Sequence, residues 1–147
     1  MNLDQSLGFL INNAGRRISQ LLTIHFQPFG ITPEQWTVLN RLAEQDGINQ
    51  KDLSLRVGKD QTNVARIFDQ LERKGLAKRK PNPEDRRSFL AVLTEEGRLL
   101  NEKLTPIEQE VIQSALTGLP DQQVEQLKKW LKQITDQSTK LIKEMER

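Results

Sequence analysis

The sequence predicts an all-α fold carrying one small β-hairpin, and three observations predict it. Apolar residues recur at three- and four-residue steps along most of the 147 residues, the period of a helix face. Leu dominates the apolar set, Tyr is absent, and strand-like runs of Val, Ile and aromatics are few. Midway along the chain, two helical stretches are separated only by Gly58, Lys59 and Asp60, and a pair of short strand-like runs follows soon after.

Taken in order, Leu7, Leu10, Ile11, Ala14, Ile18, Leu21 and Leu22 form one face of a helix expected over Leu3 to Phe26, with Asn2 and Gln5 at its start. Pro28 and Gly30 end it. Thr32, Pro33 and Gln35 read as a capping box with proline in the first turn, opening a second helix that buries Trp36, Leu39 and Leu42 and stops at Gly47. Asn49 caps a short third helix with Leu53 and Val57 inside, which halts at Gly58. Asp60 caps a fourth, whose inward stripe is Val64, Ile67, Phe68 and Leu71, with Gly75 as its stop. Leu76 to Lys80 and Ser88 to Leu93 then read as two strands joined by Pro81, Asn82, Pro83 and a mobile charged tip, Glu84 to Arg87. Thr94 caps a fifth helix, with Glu95 and Glu96 suited to its dipole and Pro106 expected to kink it. Beyond Leu119 and Pro120 a last helix carries Val124, Leu127, Leu131, Ile134, Leu141 and Met145.

A short glycine-containing turn between two helices, followed by a hairpin, is the order of a winged helix-turn-helix. The first and last helices each carry more apolar surface than one such small core can cover, so they are expected to pair with each other and with a second copy. The chain accordingly divides into an N-terminal dimerisation helix (1–30), a winged helix-turn-helix lobe (31–97) and C-terminal dimerisation helices (98–147).

Composition excludes several classes. With no cysteine there is no disulfide, thiolate zinc site, nucleophilic thiol or thiol-based sensing within the chain. One His, no Tyr, no glycine-rich phosphate loop and no recognisable cluster of acids argue against an enzyme and imply no cofactor or metal. No apolar stretch approaches the roughly 20 residues of a membrane span, and no signal-peptide pattern opens the chain, so a soluble, cytoplasmic protein is expected.

The net charge of +2 hides an uneven distribution. From Arg73 to Arg87 seven basic residues face two acidic ones, a local excess of +5 that leaves −3 for the remainder. Such a block suits a partner rich in phosphate, although a solvated basic surface has the same composition. On the fourth helix Gln61, Thr62, Asn63, Arg66, Gln70 and Arg73 lie off the apolar stripe, and amides and guanidinium groups are the side chains that read base edges. Lys80 continues the cationic surface along the hairpin, and Asp85, Arg86 and Arg87 form its tip. A guanidinium there can enter a narrow minor groove while a neighbouring carboxylate orients it. Double-stranded DNA is therefore the expected partner; a helical protein-protein interaction module reusing a winged-helix scaffold is the alternative, and would not need this polar face.

The run from Asp85 through Gly97 (Asp85-Arg86-Arg87-Ser88, then Leu93-Thr94-Glu95-Glu96-Gly97) resembles the wing signature of MarR-family regulators. Leu71-Glu72-Arg73-Lys74-Gly75-Leu76 resembles the end of their recognition helix, and Gly30-Ile31-Thr32 with Gln35-Trp36 the start of their second helix. Ala91 departs from the pattern, standing where the family usually has a larger aliphatic residue. The resemblance implies a homodimeric transcriptional regulator, commonly a repressor, on a palindromic operator. Arg87 would be the minor-groove arginine, Asp85 its orienting partner, and Gln61, Thr62, Asn63 and Arg66 would face the major groove. The interlocked dimer helices would use Leu3, Leu7, Leu10, Leu127, Trp130, Leu131, Ile134 and Leu141. Many members release DNA when a small phenolic or lipophilic acid binds. A pocket for such an effector would draw on His25, Phe26 and Trp36, with Arg16 or Arg17 as carboxylate partner, although a helix-end histidine bonded to backbone and a core tryptophan account for the same residues.

Overall fold

The computed structural model describes residues 1–146, in two compact units that divide after Val111. Arg147, the last residue of the expected C-terminal segment, lies outside the described residues.

The first helix begins later than its apolar period suggests. Asn2 Oδ1 accepts the Asp4 N–H at 3.0 Å and caps a single 3-10 turn, Leu3–Gln5. Ser6 is extended and its Oγ accepts the Phe9 N–H at 3.4 Å, so this serine is the true cap of α1 (Leu7–Phe26). Leu3 thus sits in the preceding turn. After a second 3-10 turn (Gln27–Phe29), the expected capping box opens α2 (Pro33–Glu44): the Gln35 N–H donates to Thr32 Oγ1 at 3.1 Å, and the Thr32 N–H to Gln35 Oε1 at 3.2 Å.

Helices α3 (Gln50–Val57) and α4 (Gln61–Arg73) are capped by Asn49 and Asp60 as their sequence requires, each cap oxygen accepting a backbone N–H at 2.8 Å. Gly58 closes α3 at φ 79°, a conformation that costs other residues a Cβ clash, and this sharp turn lets α4 start three residues later. Val38, Leu39 and Leu42 of α2, Leu53 of α3, and Val64, Ile67, Phe68 and Leu71 of α4 are all buried. Each such side chain contributes about 1.5–3 kcal/mol on burial. The four-residue stripe of α4 is therefore consumed inside this unit, which fixes the opposite face outward.

The hairpin strands are β2 (Ala77–Pro81) and β3 (Phe89–Leu93). They belong to a three-stranded antiparallel sheet in the order β1-β3-β2, because the two-residue strand β1 (Ile48–Asn49) pairs with β3 through Ile48 opposite Ala91. Sequence periodicity cannot signal a two-residue strand; the pairing is tertiary. The start of α5 (Glu95–Ala115) anchors the sheet. Thr94 Oγ1 donates to the Gly75 carbonyl at 2.6 Å and accepts the Gly97 N–H at 3.1 Å. A Cβ at Gly97 would lie 2.0 Å from the Leu76 carbonyl oxygen, so only glycine fits this approach. α5 continues through Pro106 as one helix.

In the second unit, α6 (Asp121–Met145) is 25 residues long and has no buried residue. Among the described residues no helix is long and apolar enough to cross a membrane.

Candidate nucleic-acid interface

The outward face of α4 carries Gln61, Thr62, Asn63, Arg66 and Arg73, all exposed. They are not equally free. Asn63 Nδ2 donates to Asp60 Oδ2 at 2.9 Å, which ties this amide to the helix cap. The Arg66 guanidinium stands 3.7 Å from Glu34 Oε2, while Lys59 approaches the other oxygen of the same carboxylate at 4.0 Å. Glu34, in the first turn of α2, thus gathers two cations beside the turn that precedes the reading face. Gln70 points elsewhere: its Oε1 accepts from Gln35 Nε2 at 2.9 Å, and Lys74 donates to Gln35 Oε1 at 2.9 Å and to the Gly30 carbonyl. The buried Gln35 thus joins the start of α2 to the end of α4.

The hairpin tip is built by short-range hydrogen bonds. Asn82 Nδ2 donates to Ser88 Oγ at 3.0 Å, and Asn82 Oδ1 accepts the Glu84 N–H at 3.0 Å. Asp85 Oδ1 accepts the Arg87 N–H at 3.0 Å. The carboxylate therefore shapes the turn through backbone, and among the described residues it forms no ion pair with the Arg87 guanidinium, contrary to the orienting contact the sequence suggests. The reason is local: an Asp two residues ahead of an N–H closes an Asx turn more readily than it reaches a flexible side chain. Lys80, Arg86 and Arg87 are exposed and carry no ion pair among the described residues. An open cleft of about 550 Å³ lies between the tip and the helix starts, lined among others by Asn49, Gln50, Gln61, Asp85 and Arg87. The beginning of α4 and the hairpin tip accordingly border one concavity, flanked by amide donors and a guanidinium.

A family model described as MarR matches residues 31–89. The organic hydroperoxide resistance transcriptional regulator of Bacillus subtilis is 30% identical over 128 residues, covering 87% of this chain and 84% of that protein. The chain belongs to the MarR family. It is a transcriptional regulator and not an enzyme, as the relatives of this family are. Two solved structures extend the likeness to the whole fold. A mutant MarR from E. coli complexed with operator DNA has a TM-score of 0.82 at 29% identity, covering 87% of this chain and 92% of that one. CouR from Rhodococcus jostii bound to p-coumaroyl-CoA has a TM-score of 0.82 at 27% identity, covering 91% and 94%.

In this MarR-family chain the residues considered for an effector pocket are scattered in character. Phe26 has no exposed surface and packs against Trp36 with ring centroids 6.0 Å apart, so it is a core side chain and cannot line an open cavity. Arg16 and His25 are exposed on α1, and Arg17 donates to Gln20 at 3.1 Å. Trp36 Nε1 is buried without a hydrogen-bond partner among the described residues.

Apolar side chains are exposed at both ends of the chain. In the first unit Leu3, Leu7, Leu10 and Ile11 are exposed; in the second, Trp130, Leu131, Ile134, Leu141 and Ile142 are exposed along α6, and Leu127 is half-buried. The sequence reading passed over Arg79, one of the run of cations, and Glu34. Strand alternation places residue 79 on the same face of β2 as Ala77, although Arg79 itself is exposed.

Proposed function

We propose that this chain represses transcription as a homodimer, gripping a palindromic operator with the α4 face in the major groove and the hairpin tip in the minor groove. The observation that carries the reading is the cleft shared by Gln61 and Arg87: one concave surface of the first unit offers both amides and a guanidinium that has no ion pair among the described residues. Arg66 and Arg73 extend the reading face, Thr62 and Asn63 complete its start, and Lys80 and Arg86 supply phosphate contacts. The likeness to a MarR variant complexed with operator DNA supports the same placement. Exposed leucines of α1 and the apolar stripe of α6, with Trp130, Leu131 and Ile134, are the surfaces through which two copies join.

A small lipophilic or phenolic effector releases the DNA in this reading, which the likeness to a regulator bound to p-coumaroyl-CoA supports. Trp36 Nε1 offers such a ligand a donor that finds no partner among the described residues. Sensing by thiol oxidation is not available to a chain without cysteine.

Selection of bound duplexes from a random library, followed by titration as salt rises, tests the function. A steep linear fall of log affinity with log salt is expected, with slope of about −0.9 per neutralised phosphate. Absence of binding to any duplex at low salt would reject DNA recognition.

A further inference from the structure

Arg79 lies in the middle of the basic run, yet its surroundings differ from those of every other cation there. Its guanidinium carbon sits 4.5 Å from the centroid of Phe89 on β3 and 5.1 Å from that of Phe68 on α4. Those rings are themselves stacked, 5.8 Å apart at 28°. On α4, Asp69 Oδ1 accepts from Arg79 Nη2 at 2.6 Å, and Glu72 accepts from Nη1. One planar group is thereby held by two rings and two carboxylates that come from the recognition helix and from the strand leading out of the tip. Strand register adds room for it: Arg79 is directly opposite Ala91, the small residue in place of a larger aliphatic.

Charge decides what this cluster can do. Two carboxylates around one guanidinium leave a net charge of −1, the wrong sign for holding a phosphate. The Asp69 side chain, and to a lesser degree Glu72, hold the Arg79 guanidinium protonated above the ordinary arginine range against its partial burial. An arginine side chain is planar and charged at any ordinary pH, so the joint always carries both features. Lys78 and Lys80, its neighbours on β2, are exposed and without ion pairs among the described residues.

We infer that Arg79 is a positioning residue, which locks the β2–β3 hairpin to α4 through Phe68, Asp69, Glu72 and Phe89 and so sets where Arg87 stands relative to the reading face. The inference rests on the proposed recognition of duplex DNA. A hairpin pivoting at its base moves its tip furthest, so the placement of Arg87 is what loss of the lock disturbs; the Thr94 contacts to Gly75 and Leu76 would still hold the strand ends.

A double-mutant cycle of Arg79→Met and Arg87→Ala tests it, on the duplex that the wild-type chain selects from a random library, with folding checked by far-UV circular dichroism. Arg79→Met alone is expected to weaken binding about tenfold, as coupled neighbours do. In the Arg87→Ala background the same change should cost less than about twofold and leave the salt slope unaltered. Equal losses in both backgrounds, with the slope falling by about 0.9, would make Arg79 a direct phosphate contact and overturn the inference. Unchanged affinity in the Arg79 variant would also overturn it. Should Arg79→Met not fold, Arg79→Lys and Phe89→Leu, which keep the charge or the acids and lose the stacked plane, must show the same non-additivity or the inference fails. Wild-type chain that retains no duplex at all defeats the DNA reading itself, a result distinct from an additive cycle on a chain that binds.

Discussion

Helices α4 and α6 carry similar amphipathic patterns and meet opposite fates. The 13-residue α4 buries Val64, Ile67, Phe68 and Leu71, whereas the 25-residue α6 buries nothing. The difference teaches where each helix finds its partner. For α4 the partner is the rest of its own lobe, which leaves a polar face turned outward that adds nothing to the apolar core. For α6, Trp130, Leu131, Ile134 and Leu141 remain exposed, and in the homodimer proposed above a second copy covers this apolar stripe.

Substitutions can break that contrast. The largest effect is expected from a charge in α6: Leu131→Glu or Ile134→Glu should convert dimer to monomer and weaken binding of the selected duplex by more than about 100-fold, because two linked half-site contacts become one. Sedimentation showing the variants still dimeric would end this assignment. Next, Leu71→Ala in α4 should cost about 2–5 kcal/mol in chemical denaturation whatever the protein concentration, since the cavity lies inside one chain. Leu131→Ala, by contrast, should lower stability by an amount that shrinks on dilution, and a concentration-independent loss would dissolve the contrast. Third, Arg87→Ala should reduce duplex affinity about tenfold, within the range for a single guanidinium contact, with the dimer intact.

The smallest effect concerns Glu108 on α5. Burial raises its carboxyl above the ordinary carboxylate range, so the folded chain holds that proton more tightly than the unfolded chain. Its stability contribution therefore falls as pH rises from the ordinary glutamate value through the raised one. Glu108→Gln should raise the melting temperature slightly at pH 7 and leave it unchanged below both values; equal melting at both pH values would show that burial carries no cost there.

Much of the fold was legible because local chemistry spoke for it. Thr32 with Gln35, Asn49, Asp60 and Thr94 each cap the helix their sequence announces. Helix periods and caps are properties of a few neighbouring residues, and so they survive reading one residue at a time. What escaped depends on distant partners. Strand β1 exists only because Ile48 finds Ala91. Ser6 outcompetes Asn2 for α1 because extended backbone at Ser6 interrupts the period, a choice the apolar pattern does not record. Phe26 joins the core because it meets Trp36. Arg79 was hidden for a different reason: in a run of cations its type looked redundant, and only its contacts with Phe68, Phe89, Asp69 and Glu72 distinguish it from the equally exposed Lys78 and Lys80. Asp85 shows the converse, since its type suggested a salt bridge and its spacing selected the backbone of Arg87 instead.

One determination bears on the account most directly: the stoichiometry of the chain, alone and with a selected duplex carrying one palindrome, by sedimentation equilibrium. Two copies in the free state and two per duplex are predicted. A single copy in either state would contradict it, because α6 would then stand uncovered and one reading face would have to recognise the site alone.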